Sequence, residues 1–584
     1  MAETLIRRFF ANADRLGSHV AYSFSAEGRW VPIGWRSAAT IVRAIASGLI
    51  ELGHQKGDAL AILSNTRREW LACDLGNMAA GGVTVGVYAT MTAEQSRYVI
   101  AHCDARFLVV ENAAQLAKVD SVRAGLPRVE TIIVIDPTGV APRPGLIALA
   151  ELIDRGRAAR RDVDARADAV DPGDPATFIY TSGTTGPPKG AMISHGNIVA
   201  ALTSIEIVPH YATDWGFSFL PLAHSLQRVV DYQGAWRGVP GAYARSLATV
   251  VDDLAAVRPT VMAAVPRIFE KIYQNANEQA AAAGAGRKRI FDWAVAVGRE
   301  AARLDGRKAP RPARLAVNLA LARRLVFDKL RARLGGRVRA FFTGGAPIAT
   351  DILEFFHAAG ITILEGWGMT ETFAVGTINL PDDFRFGSIG KPVPAVELRL
   401  DDDGELLVRG PNVFAGYYKE PEATRAAFTP DGFFRTGDVC RRDSDGFYYI
   451  IDRKKDLIIT AGGKNIAPQN IENVIKGDPR ISQVVAIGDR RPYVVALVAV
   501  APELAGTDPA QLTRMVGDVI AAKNKDLASY EQVKKFRLLP RELSQEEGEL
   551  TPTLKVKRKV VGERYAALVD AMYGEGAAGT PAGA

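Results

Sequence analysis

Short apolar runs separated by helix-length segments dominate the first part of the chain. Ala59 to Leu63, Val83 to Val87, Phe107 to Val110 and Thr131 to Ile135 are apolar without alternation, which predicts strands buried on both faces of a parallel sheet. Between them, Ser37 to Leu52 and Thr92 to His102 repeat apolar residues every three or four positions and predict helices. Strand and helix in alternation give α/β layers. Arg155 to Asp174 is rich in Arg and Asp and ends in Asp-Pro-Gly-Asp-Pro, so it predicts a loop leading into a strand at Ala176 to Ile179. Leu315, Leu319, Ala322, Val326 and Leu330 recur at helical spacing with arginines between them. From about residue 395 the pattern changes to short strands, Glu397 to Leu400, Glu405 to Arg409 and Phe447 to Ile451. After Arg453 a compact α+β pattern runs to about Tyr573, and the Gly/Ala-rich residues 574–584 are expected to be disordered.

Composition excludes a disordered or fibrous chain: 48% of the 584 residues are hydrophobic and 23% charged. Cys73, Cys103 and Cys440 are odd in number and far apart, fitting neither a disulfide framework nor a zinc site, so a reducing cytoplasm is expected. No run reaches the ~18 apolar residues of a membrane span, and Met1 to Gly17 is too charged for a signal peptide; both predict a soluble protein. Net charge is +7, yet Arg287 to Arg339 alone holds 16 Lys and Arg against 4 Asp and Glu. The rest of the chain is therefore net acidic. Nucleic-acid binding is disfavoured, because Phe291, Trp293 and Phe327 are the only aromatics in that segment and no reader motif is present.

The densest chemical signal is Tyr180-Thr-Ser-Gly-Thr-Thr-Gly-Pro-Pro-Lys-Gly190. Glycines let the backbone approach a polyanion, hydroxyls and N–H groups donate to its oxygens, and a lysine adds charge. The spacing is not that of a Walker A loop. Gly574-Glu-Gly576-Ala-Ala-Gly579 matches a dinucleotide fingerprint in letters only, since it follows no strand and opens no helix.

The string from Tyr180 resembles the phosphate loop of adenylate-forming enzymes, the group of acyl-CoA synthetases, luciferases and peptide-synthetase adenylation domains. Phe219-Leu-Pro-Leu-Ala-His224, Gly344-Gly-Ala-Pro347, Glu365-Gly-Trp-Gly-Met-Thr-Glu-Thr372, Thr436-Gly-Asp438, Asp452-Arg-Lys-Lys-Asp456, Gly462-Gly-Lys-Asn-Ile466 and Leu554-Lys-Val-Lys-Arg558 follow in that group's order. Val265-Pro-Arg-Ile-Phe-Glu-Lys271 is similar to the long-chain fatty-acid branch. Leu554 departs from the pattern, where the group often has Gly before its lysine.

The resemblance implies an α/β fold: a large N-terminal domain, residues 1–452, with two parallel-type layered sheets and a small β subdomain, and a small mobile α+β domain, residues 453–584. It implies ligation of a long-chain fatty acid to coenzyme A through an acyl adenylate, with ATP as co-substrate and Mg²⁺ as cofactor. By position, Thr181 and Glu371 would hold Mg²⁺, and Ser182, Gly183, Thr184, Thr185, Gly186 and Lys189 would cradle the phosphates. Gly344, Gly345, Ala346, Pro347, Glu365, Gly366, Trp367 and Gly368 would surround the adenine, and Thr370 would reach the α-phosphate. Asp438 would accept the ribose hydroxyls, with Arg453 and Ile450 nearby. Lys555 would bridge carboxylate and α-phosphate in the adenylation transition state; Lys557 and Lys559 stand close to it. His224 would orient the carboxylate, or equally be a packed, hydrogen-bonded residue. His195 reads as support for a helix start.

Lys455 would be a hinge, turning the C-terminal domain so that Gly462, Gly463 and Lys464 line a pantetheine tunnel. The basic segment has three readings: a solvated helical surface, a reversible contact with anionic membrane, or a contact with the phosphates of coenzyme A. An acyl-AMP ligase serving a carrier protein, a medium-chain or aromatic-acid ligase, and a non-catalytic nucleotide-binding relative are the alternatives.

Overall fold

The computed structural model describes residues 3–181, 187–461, 465–504, 506–551 and 555–574. Its central layer is an eight-stranded sheet. The buried runs form its middle: Val83–Val87, Ala59–Leu63, Phe107–Val110 and Thr131–Val134 lie side by side and parallel. Pro175–Thr181 continues the sheet in parallel next to Val83–Val87, and Lys189–Ser194 folds back antiparallel to it. A fully apolar strand needs cover on both faces. Helices such as Trp35–Glu51, Arg68–Ala79 and Ala93–His102 supply it.

A second layer is a five-stranded sheet in which Val261–Ala264, Ala340–Thr343 and Thr362–Trp367 run parallel. Glu397–Leu400, Glu405–Arg409, Phe434–Arg442 and Tyr448–Arg453 make the small antiparallel sheet expected from the short-strand pattern. A fourth sheet was not expected. Val20–Ala26 pairs with Arg29–Gly34 in a hairpin and also, in parallel, with Gly241–Tyr243, which in turn pairs with Gly216–Ser218. The C-terminal part is α+β, with Ile481–Ile487, Val494–Val500 and Val533–Leu538 in one sheet against Pro468–Lys476 and Pro509–Lys523.

Two expectations are corrected. The Arg/Asp-rich stretch is not a loop: Leu149–Ala159 and Val163–Asp168 are helices. Asp162 caps the second by accepting from Ala165 N–H at 2.9 Å. The charges there face outward and pair, Arg155 with Glu151, Arg43 with Asp164 and Arg7 with Asp168. Gly574 is not part of a disordered tail but ends the helix Ala566–Gly574; residues 575–584 lie outside the described residues. Cys73, Cys103 and Cys440 are free and buried.

In the basic segment the expected apolar face is present. Leu315, Leu319 and Ala322 are buried, and Phe327 packs with them beside Phe355. Ala285–Gly306 and Ala313–Ala322 are the helices, the second running through a π-turn at Arg323–Phe327 into Asp328–Arg333.

Candidate active site

Parallel strands carry their ligand-facing loops at their carboxyl ends. Thr181 ends Pro175–Thr181, Gly344 to Pro347 follow Ala340–Thr343, and Glu365 to Trp367 end Thr362–Trp367. All of these border one cavity of ≈2030 Å³. Single small-ligand pockets run to about 1,000 Å³, so this space accommodates more than one substrate. Two glycines there are required by geometry. Gly345 has φ +80°, and a Cβ on Gly368 would lie 2.2 Å from the Ala374 carbonyl carbon.

Glu371 is buried in the short turn Thr370–Thr372, and its Oε1 accepts from the Tyr417 hydroxyl at 2.7 Å. Burial pushes the Glu371 carboxyl above the usual carboxylate range. Thr181 borders the same space. A buried, underneutralised carboxylate beside a hydroxyl is a donor set that suits a hard, oxygen-seeking dication such as Mg²⁺. Tyr417 was missed in the sequence. It also lies under the Lys189 ammonium, 5.4 Å from the ring centre, and its strand Gly416–Tyr417 pairs with Lys189–Ser194. The signal was available in the aromatic pair Tyr417-Tyr418 beside Lys419.

Asp438 is buried with two protein donors: Trp367 Nε1–H reaches Oδ2 and Arg453 Nε–H reaches Oδ1, each at 2.8 Å. Trp367, Asp438, Ile450 and Arg453 therefore form one wall. Glu365 is buried in the same wall, accepts from Gly387 N–H at 2.9 Å, and is pushed by burial up to about 8. At neutral pH this carboxyl is largely protonated and offers a proton as well as lone pairs.

His224 caps the helix Ser225–Arg237. Its Nδ1 accepts from Leu226 N–H at 3.1 Å, which leaves the ring proton on Nε2. Burial first, and the Lys555 ammonium second, lower its pKa to about 4, so the ring is neutral. The helix is locked beneath the site by a fully buried pair, Arg228 and Asp74, with Nε–Oδ2 at 3.7 Å. Arg228 also donates to Thr177 on the strand that carries Thr181, and the Tyr232 hydroxyl donates to Asp74 at 2.6 Å. His195 is buried at the start of His195–Ser204, while the cap of that helix is Ser194 in a capping box with Asn197.

Lys555 comes from the far end of the chain yet borders the same cavity. Arg453, Asp438, Asp456 and Glu371 all act on its charge. Lys555 keeps much of its surface accessible, yet the protein atoms crowded around it desolvate its ammonium, and this first and Arg453 second lower its pKa to about 8. Two hydrogen bonds with Thr551 hold its backbone: Thr551 N–H donates to the Lys555 carbonyl at 2.8 Å, and Lys555 N–H to Thr551 Oγ1 at 3.0 Å. Two residues before Thr551, buried Glu549 accepts from Arg541, Arg564 and the Tyr565 hydroxyl. Glu549 too was missed; nothing local distinguishes it from Glu546 or Glu547. The C-terminal part is held in this orientation by Arg267, which donates to the Ser482 carbonyl at 3.1 Å, to Ser482 Oγ at 3.2 Å and to Glu542 at 3.1 Å.

Lys455 is exposed in the turn after Tyr448–Arg453, where Asp456 N–H and Leu457 N–H both return to the Arg453 carbonyl. Lys557 borders the cavity as well, and Lys559 is exposed beside Glu563. Ser182, Gly183, Thr184, Thr185, Gly186, Gly462, Gly463 and Lys464 lie outside the described residues.

Tyr22, Leu71, Leu75, Phe217, Val229 and Val230 line the same cavity, together with charged residues such as Arg68 and Asp231. Their apolar surface suits a hydrocarbon chain.

Comparison with known proteins agrees with this geometry. Residues 9–418 match the family described as AMP-binding enzyme, and residues 455–577 match the AMP-binding enzyme C-terminal domain. A Mycobacterium bovis protein, long-chain-fatty-acid–CoA ligase FadD15, is 38% identical over 95% of this chain and 94% of its own length. A Xenopus laevis long-chain-fatty-acid–CoA ligase, ACSBG2, is 33% identical over 99% of this chain and 84% of its own. Among solved structures, the adenylation domain of a carboxylate reductase from Mycobacterium chelonae aligns with a TM-score of 0.82 at 23% identity, covering 98% of this chain and 92% of that one. By sequence over nearly its whole length, this chain belongs to the AMP-binding enzyme family.

Proposed function

We propose that the protein joins a long-chain fatty acid to coenzyme A at the expense of ATP, releasing AMP and pyrophosphate, through an acyl adenylate. One observation carries the reading: Lys555, Glu371, Asp438 and His224, from distant parts of the chain, border one cavity that apolar side chains also line. The names of its long-chain-fatty-acid–CoA ligase relatives support the same substrate class.

A carboxylate is a poor acyl donor, because its charge repels nucleophiles and oxide does not leave. Its oxygen attacks the α-phosphorus of ATP, and pyrophosphate departs with the electron pair of the broken P–O bond. Two anions must meet, so the protein contributes positioning and charge neutralisation. Lys555 lies between the carboxylate and the α-phosphate and balances the charge that builds there. His224, neutral with its proton on Nε2, donates to the carboxylate oxygen that does not attack. Thr370 reaches the α-phosphate, Lys189 with Ser182 to Gly186 the outer phosphates, and Asp438 with Arg453 the ribose hydroxyls. Gly344 to Pro347 and Glu365 to Gly368 enclose the adenine, with Ile450 behind. Mg²⁺ would be held by Thr181 and Glu371, where it would screen charge between phosphate oxygens.

In the second step the thiol of coenzyme A adds to the acyl carbon and AMP leaves. A cation at the carboxylate–phosphate junction is then out of place. The segment 453–584 turns at Lys455, withdrawing Lys555 and bringing Gly462, Gly463 and Lys464 to the thiol path. Lys455→Pro, which fixes φ, should spare adenylation and impair the thioester step. Equal losses in both would remove the hinge.

Fatty-acid-dependent ATP–pyrophosphate exchange tests the first step, and release of free acyl-CoA tests the acceptor. Exchange without acyl-CoA release would leave an acyl-AMP ligase; no exchange with any fatty acid would refute the proposal.

A further inference from the structure

The helical segment from residue 285 to 333 buries one apolar face and exposes another. Val317, Leu321 and Leu325 follow one another at steps of four and are 61%, 48% and 48% exposed. Ile290 and Trp293 are exposed on the adjoining helix Ala285–Gly306. Isolated surface leucines are ordinary, but a stripe of three along one helix is a surface awaiting a partner.

The charges around the stripe sort into two groups. Arg299, Arg303, Lys308, Arg311 and Arg339 pair with Asp351, Glu354, Asp383, Asp305 and Asp214, and so are neutralised within the chain. Among the described residues, Arg314, Arg324 and Lys329 make no ion pair, and the same holds for Arg287 and Arg289 beside Ile290. Unpaired cations therefore flank exposed aliphatic side chains. No described helix is long and apolar enough to cross a membrane.

We infer that the stripe Val317, Leu321 and Leu325, with Arg314, Arg324 and Lys329, docks on the surface of an anionic phospholipid bilayer. The aliphatic chains enter the headgroup boundary and the cations meet lipid phosphates. Nucleic acid would match the charges but would leave the aliphatic stripe in water. The preference for a lipid surface also rests on the proposed substrate, since long-chain acids dissolve in bilayers.

The test is co-sedimentation of the full chain, without substrates, with vesicles of phosphatidylcholine alone or with added phosphatidylglycerol, at low and high salt. Binding should need the anionic lipid and weaken with salt. Arg314→Gln and Arg324→Gln should each reduce partitioning about fivefold, the contribution of one surface cation near an anionic membrane. Leu321→Glu with Leu325→Glu should abolish it, while the melting temperature and acyl-CoA formation from soluble fatty acid stay unchanged. Equal binding to both vesicle types, no binding, or full binding by the double variant would overturn the inference. So would a wild-type dimer in sedimentation that Leu321→Glu splits, because the stripe would then be covered by a second copy. Vesicle binding and acyl-CoA formation are read separately, so either can fail alone.

Discussion

In and beneath the cavity, charged groups lie inside: Glu371 and Asp438 line it, Asp74 and Arg228 lie below it, and all four are buried. On the segment from residue 285 to 333, aliphatic groups lie outside: Val317, Leu321 and Leu325. Each region departs from the usual distribution in the opposite sense. Buried charge costs stability unless it is paired and hydrogen-bonded, and exposed apolar surface has no stabilising role in the isolated chain. The first region holds its departure with partners inside the molecule, such as Tyr417 for Glu371 and Arg453 for Asp438. Among the described residues, the second leaves its stripe exposed, with no internal cover. Inward charge thus points to chemistry on small anions, and outward aliphatic surface to something larger than a ligand.

The contrast can be broken or sharpened by substitution. Arg228→Leu leaves Asp74 buried without its cation and should destabilise the protein by about 3–5 kcal/mol in denaturant titration. Leu319→Ala, on the inner face of the basic helix, should cost about 2–5 kcal/mol in the same measurement. Arg267→Ala removes hydrogen bonds from a charged donor and should lower adenylation about tenfold while sparing conversion of supplied acyl adenylate. Leu321→Ala, two residues from Leu319 but on the outer face, should stay within about 0.5 kcal/mol of wild type. If Leu319→Ala and Leu321→Ala cost the same, the outer stripe is structural and the contrast disappears.

Much of this was legible in sequence because the signals are local. The strands Ala59–Leu63, Val83–Val87 and Phe107–Val110 are apolar runs, and the motif from Tyr180 to Lys555 keeps a readable order. What was not legible depends on distant partners. Val163–Asp168 looks like loop sequence, since its Asp164 and Asp168 pair with Arg43 and Arg7 far upstream. The hairpin Val20–Gly34 gained a parallel neighbour at Gly241–Tyr243, a pairing no local pattern announces. Tyr417 and Glu549 matter through the single groups they face, Glu371 and Arg541. Helical periodicity identified the inner face of the basic segment but gave no reason to expect leucines on its outer one.

The pH dependence of the two steps also separates them. Lys555, with its pKa lowered to about 8 by desolvation and Arg453 against the pull of Asp438, Asp456 and Glu371, loses its charge as pH rises through that value. Adenylation should therefore fall above about pH 8, by about tenfold per unit once Lys555 is neutral. His224, already neutral, adds no transition in that range.

The most direct measurement is of both half-reactions in Lys555→Ala, with its melting temperature as a check on folding. Fatty-acid-dependent ATP–pyrophosphate exchange should drop about 10²–10³-fold, the usual effect of removing one preorganised group from a transition state. Transfer from supplied acyl adenylate to coenzyme A should stay near the wild-type rate. Equal loss in both steps, or undiminished exchange, would contradict the role given to Lys555.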